Sequence, residues 1–117
     1  MKEIPEKYRQ DLAIVRETAL QVIRDFEFLN IDIIFSGNER AAFDELMSQI
    51  TPALIRLYKE NPSHFQQLLY RIDIPEKQFR ELLASENHVN FPKKIAEMLI
   101  RREFQKVLTR KYYSGKS

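Results

Sequence analysis

The sequence contains no cysteine, no tryptophan and only two glycines in 117 residues. Without cysteine there is no disulfide, no thiolate metal site and no cysteine nucleophile. Scarce glycine argues against a β sandwich or barrel, whose many turns consume it. Gly37 and Gly115 stand alone, so no glycine-rich phosphate loop exists. No apolar run approaches the length of a membrane span, and the opening Met1-Lys2-Glu3-Ile4-Pro5 passes straight into charged residues with no signal-peptide core. The reading is a soluble cytoplasmic protein with no membrane association.

Histidine is scarce too. His64 and His88 are 24 residues apart, outside the spacing of a helical zinc pair, and a site joining His88 with Glu97 would have no motif behind it. No Glu-x-x-His pair of a di-iron bundle occurs. The serines lack a nucleophile-elbow context. The expectation is therefore no catalytic residue, no metal and no cofactor.

Apolar residues make up 44% and charged residues 31%, a globular balance that is enough for one core without a staple. The charge is uneven. Residues 93–117 carry a net +6 and residues 1–92 a net −4, giving the overall +2. An acidic body with a basic end suits an acidic partner, or the body of a second copy.

Periodicity predicts an all-α, compact bundle of about five helices in one domain, residues 1–112, with a flexible basic tail at 113–117. Tyr8, Leu12, Val15, Ala19, Val22, Ile23 and Phe26 recur at spacings of three and four, predicting a long first helix from about Pro5 to Leu29. Arg24 and Asp25 fall off that stripe. "NIDIIF" (30–35) alternates with period two but has no obvious partner strand, and reads as an apolar connector packed on the core. A second helix starts near Asn38, with a kink or break expected near Pro52. Asn61-Pro62 opens a third helix. Asp73 and Glu76 suggest a capping box for a fourth, after a loop at 85–90 a fifth runs from about Pro92 to Tyr112.

The fifth helix draws most attention. Phe91, Ile95, Met98 and Leu99 share one side of its first half, whereas Ile100, Phe104, Val107 and Leu108 share a nearly opposite side of its second. Its buried face therefore turns along its length. Arg102, Lys106 and Arg110, at i, i+4 and i+8, form a basic stripe, and Lys111 and Tyr112 follow. These five are the candidate contacts to a partner or to phosphate. The plainer reading is solvated cations favourable at a helix C-terminus, with Glu103 pairing to Lys106. Residues 64–85 have the two-helix spacing of a helix-turn-helix but depart from it. Asp73 stands where glycine often makes the turn, and the second helix balances Lys77 and Arg80 against Glu76 and Glu81, leaving little attraction for phosphate.

The function expected is a small non-catalytic protein-interaction or scaffold domain, self-association included. Phe28, Phe35 and Phe91, placed in connectors, are apolar surface a small monomer leaves uncovered. The alternative is a nucleic-acid-binding helical protein that uses the basic last helix.

Overall fold

The computed structural model describes residues 11–85 and 91–114, with side chains as far as Lys111. Five helices lie among them: α1 Leu12–Glu27, α2 Ala42–Glu60, α3 Pro62–Ile72, α4 Glu76–Ser85 and α5 Phe91–Ser114, with a 3₁₀ turn, Glu39–Ala41, leading into α2. There is no strand among the described residues, so the fold is the expected all-α bundle. Of the loop expected at 85–90, Ser85 is the last residue of α4, and residues 86–90 with His88, the Tyr112 side chain and residues 115–117 lie outside the described residues. The helix itself continues to Ser114, two residues into the expected tail.

The first helix is shorter than its periodicity suggested. Asp11 is extended (φ −78°, ψ 104°), and its carboxylate accepts the N–H groups of Ala13 and Ile14. That is an N-cap, and it starts α1 at Leu12 rather than Pro5; residues 1–10 lie outside the described set. The longest helix is instead α5, with 24 residues. At ~1.5 Å per residue it is ~36 Å long, comparable with the 40 Å long dimension of the molecule. The spine of the bundle is the last helix.

Pro52 does not break α2, whose helical span runs unbroken from Ala42 to Glu60. The proline-linked break comes between helices, at Asn61-Pro62. There the Asn61 side chain accepts the His64 N–H, and Pro62 occupies the first turn, where no donor is needed.

The connector at 31–35 belongs to no regular element. Leu29 and Ile33 are buried and Ile34 is exposed. The Gln49 side chain brackets Ile34: its Oε1 accepts the Ile34 N–H at 2.8 Å, and its Nε2 donates to the Ile34 carbonyl at 2.7 Å. One amide from α2 thus supplies what a neighbouring strand would have supplied.

Asp73 corrects the capping-box expectation, because it closes α3 instead of opening α4. It is left-handed (φ 68°, ψ 48°). Its N–H donates to the Tyr70 carbonyl at 3.1 Å, and the Ile74 N–H reaches back to Leu69 at 2.9 Å. This is a Schellman motif, with buried Ile74 over Leu69 as its apolar contact. The position does the work of a glycine with an aspartate.

Two cores form along α5. Phe91, Ile95, Ala96, Leu99 and Ile100 pack in the larger cluster with α1, α2, α3 and α4. Phe104 and Val107 join Ile14, Val15 and Ala42 in a smaller one. The turning apolar face is thereby covered within one chain. Phe91 is a buried helical residue rather than a connector residue, and Phe35 is half-buried. Phe28 is 58% exposed.

Candidate functional site

Two unlike regions lie along α5. Near its N-terminus four rings pack into a box. Tyr58 of α2 meets Phe65 of α3 edge-on at 5.3 Å and Phe91 of α5 at 5.4 Å. Phe79 of α4 closes the box, 5.2 Å from Phe65 and 5.7 Å from Phe91. Tilted and edge-on pairs suit the ring quadrupole, each adding about 0.5–1.5 kcal/mol beyond area burial. Helical spacing explains the convergence: Phe65, Phe79 and Phe91 each sit in an early turn of their helix, next to Leu68, Leu82 and Ile95 on the apolar stripe.

The box is sealed on one flank and open on the other. Phe65, Phe79 and Phe91 are buried, whereas Tyr58 is 42% exposed. Over the open flank runs an apolar groove of about 240 Å³, lined by Ile55 and Tyr58 of α2, Phe65 of α3 and Phe91 and Pro92 of α5. Lys59 is a charged residue on its lining.

The second region lies a few turns further along α5. Glu103 is fully buried and faces Asp25 of α1, which is 2% exposed. Arg71 of α3 donates from Nε to Asp25 Oδ1 at 2.8 Å, and Gln21 donates to the same oxygen at 3.2 Å. Asp25 Oδ2 and both Glu103 oxygens have no N–H or hydroxyl donor among the described residues. Lys106 Nζ is 3.5 Å from Glu103 Oε1, an attraction at long range for an ion pair. Burial first, then the hydrogen bond and charge of Asp25, push the Glu103 carboxyl up to about 9, against a smaller opposing pull from Lys106. Glu103 is thus held as the neutral acid at neutral pH. Outside the pair, the Arg71 guanidinium lies 4.5 Å over the Phe28 ring, so that exposed aromatic is partly covered by a cation.

The basic stripe expected from the sequence exists and turns back onto its own chain. Arg102 donates from Nε to the Asp73 carbonyl at 3.0 Å and from Nη2 to the Asp73 carboxylate at 2.7 Å. Lys106 reaches the Arg71 carbonyl at 3.4 Å. Arg110 reaches the Gln21 side chain at 3.4 Å. Arg102 and Lys106 therefore serve the carboxyl end of α3, where cations are favoured. Lys111 is exposed.

The acid pair was missed from sequence because charge was allowed to override register. Asp25 follows Thr18 by seven residues and Val22 by three, on the buried face of α1. Glu103 follows Leu99 by four and precedes Phe104, within the apolar stripe of α5. A carboxylate at an inward position on each of two helices was the available signal. Among the described residues no three His, Asp or Glu side chains gather as metal ligands, and no helix is long and apolar enough to cross a membrane. Comparison of the chain with protein families, curated proteins and solved structures finds no match in any of the three.

Proposed function

We propose that this chain is a small non-catalytic protein-interaction domain whose docking surface is the groove beside the four-ring box. The observation that supports the reading is that groove: apolar, bounded by three helices and floored by aromatic rings already packed against one another. Preformed aromatic surface loses little entropy on binding, which is why such surfaces anchor partners. The occupant is a short segment of another protein that offers one or two apolar side chains and a neighbouring carboxylate. Lys59 on the lining gives the charge preference, and exposed Lys93 and Lys94 follow Pro92 in the chain.

A non-catalytic role fits the burial of Glu103. Among the described residues, the carboxyl pushed furthest from its ordinary value is buried away from solvent. The nucleic-acid reading ranks lower, because a phosphate would have to compete with the contacts of Arg102 and Lys106 to α3. Lack of cysteine suits the reducing cytoplasm, which is the compartment we assign.

A displayed library of short peptides, selected on the full chain, tests the reading. Apolar sequences with acidic neighbours are expected to enrich, to be lost on Ile55→Asp, and to shift toward basic neighbours on Lys59→Glu. No enrichment, or enrichment unchanged by both variants, overturns the proposal. Light scattering behind size exclusion, at low and high salt, addresses self-association. A concentration-independent 14 kDa species at both salts excludes a second copy as the occupant.

A further inference from the structure

We infer that Asp25 and Glu103 hold one proton between them, and that this proton keeps the C-terminal half of α5 seated on α1 and α3. The geometry calls for a donor between the two carboxyl groups: the nearest N–H group, the Lys106 ammonium, stands 3.5 Å from Glu103 Oε1, too far for a full hydrogen bond. Two carboxyl groups from facing helices, both more than nine-tenths buried, present three oxygens with no hydrogen-bond partner among the described residues, and only one of them, Glu103 Oε1, has a cation near it, Lys106 Nζ at 3.5 Å. A carboxylic acid on Glu103 donating to Asp25 resolves the conflict with one hydrogen bond.

The surrounding charges do not provide another solution. From α1 come Asp25 itself, with the neutral Gln21 amide on it, while Arg16, Glu17, Arg24 and Glu27 are exposed. From α3 comes Arg71, which is committed to the other oxygen of Asp25, and whose side chain is 39% exposed. From α5 come Lys106, at 3.5 Å, Arg102, held by Asp73, and Arg110, at Gln21. On α2, Asp44, Arg56, Lys59 and Glu60 are exposed and Glu45 is held by Ser36; on α4, Glu76, Lys77, Arg80 and Glu81 are exposed. The charges that act on Glu103 are Asp25 and Lys106, and Lys106 has the smaller effect.

Loss of the proton leaves two negative charges face to face in a closed seat. Phe104, the next residue, and Val107, one turn on, are the α5 contribution to the smaller core. Glu103 cannot move toward water without lifting both. Proton release and undocking of this half-helix are therefore one event.

The test is carbon-detected NMR of the full chain, reading the Glu103 carboxyl and the Val107 methyls from acid to alkaline pH. The Glu103 signal is expected to stay flat where ordinary glutamates titrate, around 4.5, and to move near 9. The Val107 methyls are expected to shift along the same curve. In Glu103→Gln, which carries a permanent donor, those methyls should hold still through that range. A Glu103 signal that titrates with the surface glutamates overturns the shared proton. Val107 methyls that ignore the Glu103 curve, or that move identically in Glu103→Gln, overturn the latch. If Glu103→Gln does not fold, the two wild-type curves decide alone: coincidence supports the inference and divergence overturns it.

Discussion

The two ends of α5 address the same problem, docking a long helix, in opposite chemical terms. At the N-terminal end Phe91 meets three other rings, and nothing there needs a hydrogen bond except the Tyr58 hydroxyl at the exposed edge. At Glu103 the helix buries a carboxyl against another carboxyl. The aromatic end gains stability from every buried atom. The polar end must first recover the cost of desolvating its groups, and does so only by holding a proton, an arginine and an amide in fixed places. The first end is tolerant of pH and intolerant of truncation. The second should be the reverse.

Truncation is the most severe way to test that contrast. Phe65 is 2% exposed and touches both Tyr58 and Phe79. Phe65→Ala should cost about 3–5 kcal/mol, read as a fall in the urea midpoint by circular dichroism. Glu103→Gln should do the opposite at neutral pH. Keeping a proton that the unfolded chain has released costs on the order of a few kcal/mol, and the amide supplies the donor without that cost. The comparison breaks if Glu103→Gln is as damaging as Phe65→Ala.

The pH dependence sharpens it. In the unfolded chain Glu103 loses its proton around 4.5, whereas in the folded chain it does so at about 9. Between those values the folded state binds the extra proton, so stability falls as pH rises. The contribution is fully present below 4.5 and is lost as pH climbs through 9. Thermal midpoints of the wild type should decline across that window, and those of Glu103→Gln should decline less. Parallel curves would leave the polar end no different from the aromatic one.

Both ends were partly visible in the sequence, and for different reasons. The apolar stripes gave the helices and most of the core, because burial follows a period that charge does not disturb. The turn of the α5 face was legible from Phe91 to Leu108, and the two clusters confirm it. What covers the second face was not legible, since packing of Phe104 on Phe43, 5.8 Å between rings, joins residues 61 apart in the chain. The start of α1 was misplaced because periodicity runs on through a cap. Asp11 stops the helix locally through its side chain, which no spacing rule detects. The groove was hidden because spacing places Tyr58, Phe65 and Phe91 on three separate helices, and Phe91 was read as uncovered connector surface rather than as part of a ring cluster. Only their meeting leaves one flank open.

The basic stripe beside Glu103 gives a smaller effect. Arg102 holds Asp73 in its left-handed conformation by its carbonyl and its carboxylate. Arg102→Ala should cost about 1 kcal/mol, with amide exchange quickened at Asp73 and Ile74 rather than in the ring box. Asp73→Gly relieves the backbone but forfeits the carboxylate contact, so it should lie near neutral. If Arg102→Ala loosens the ring box instead, the two regions are one cooperative unit and the contrast between them fails.

The smallest effect isolates solvent as the variable. Glu45 is also a glutamate on a helix, but it is reached by water. Its carboxylate accepts the Ser36 hydroxyl at 2.6 Å and the Ser36 N–H at 3.0 Å. These bonds, the hydroxyl's first, hold its carboxyl below the usual 4.5. The sign is therefore opposite to that of Glu103: the contribution is present above 4.5 and is lost as pH falls through the lowered value. Ser36→Ala should lower the thermal midpoint slightly at neutral pH, and the gap from wild type should close in acid. Salt should not restore it fully, because the lost bonds are local contacts rather than long-range attraction. A gap that persists unchanged in acid would mean that Ser36 acts through the Gly37 turn, where its hydroxyl also accepts the Asn38 N–H, and not through the charge on Glu45.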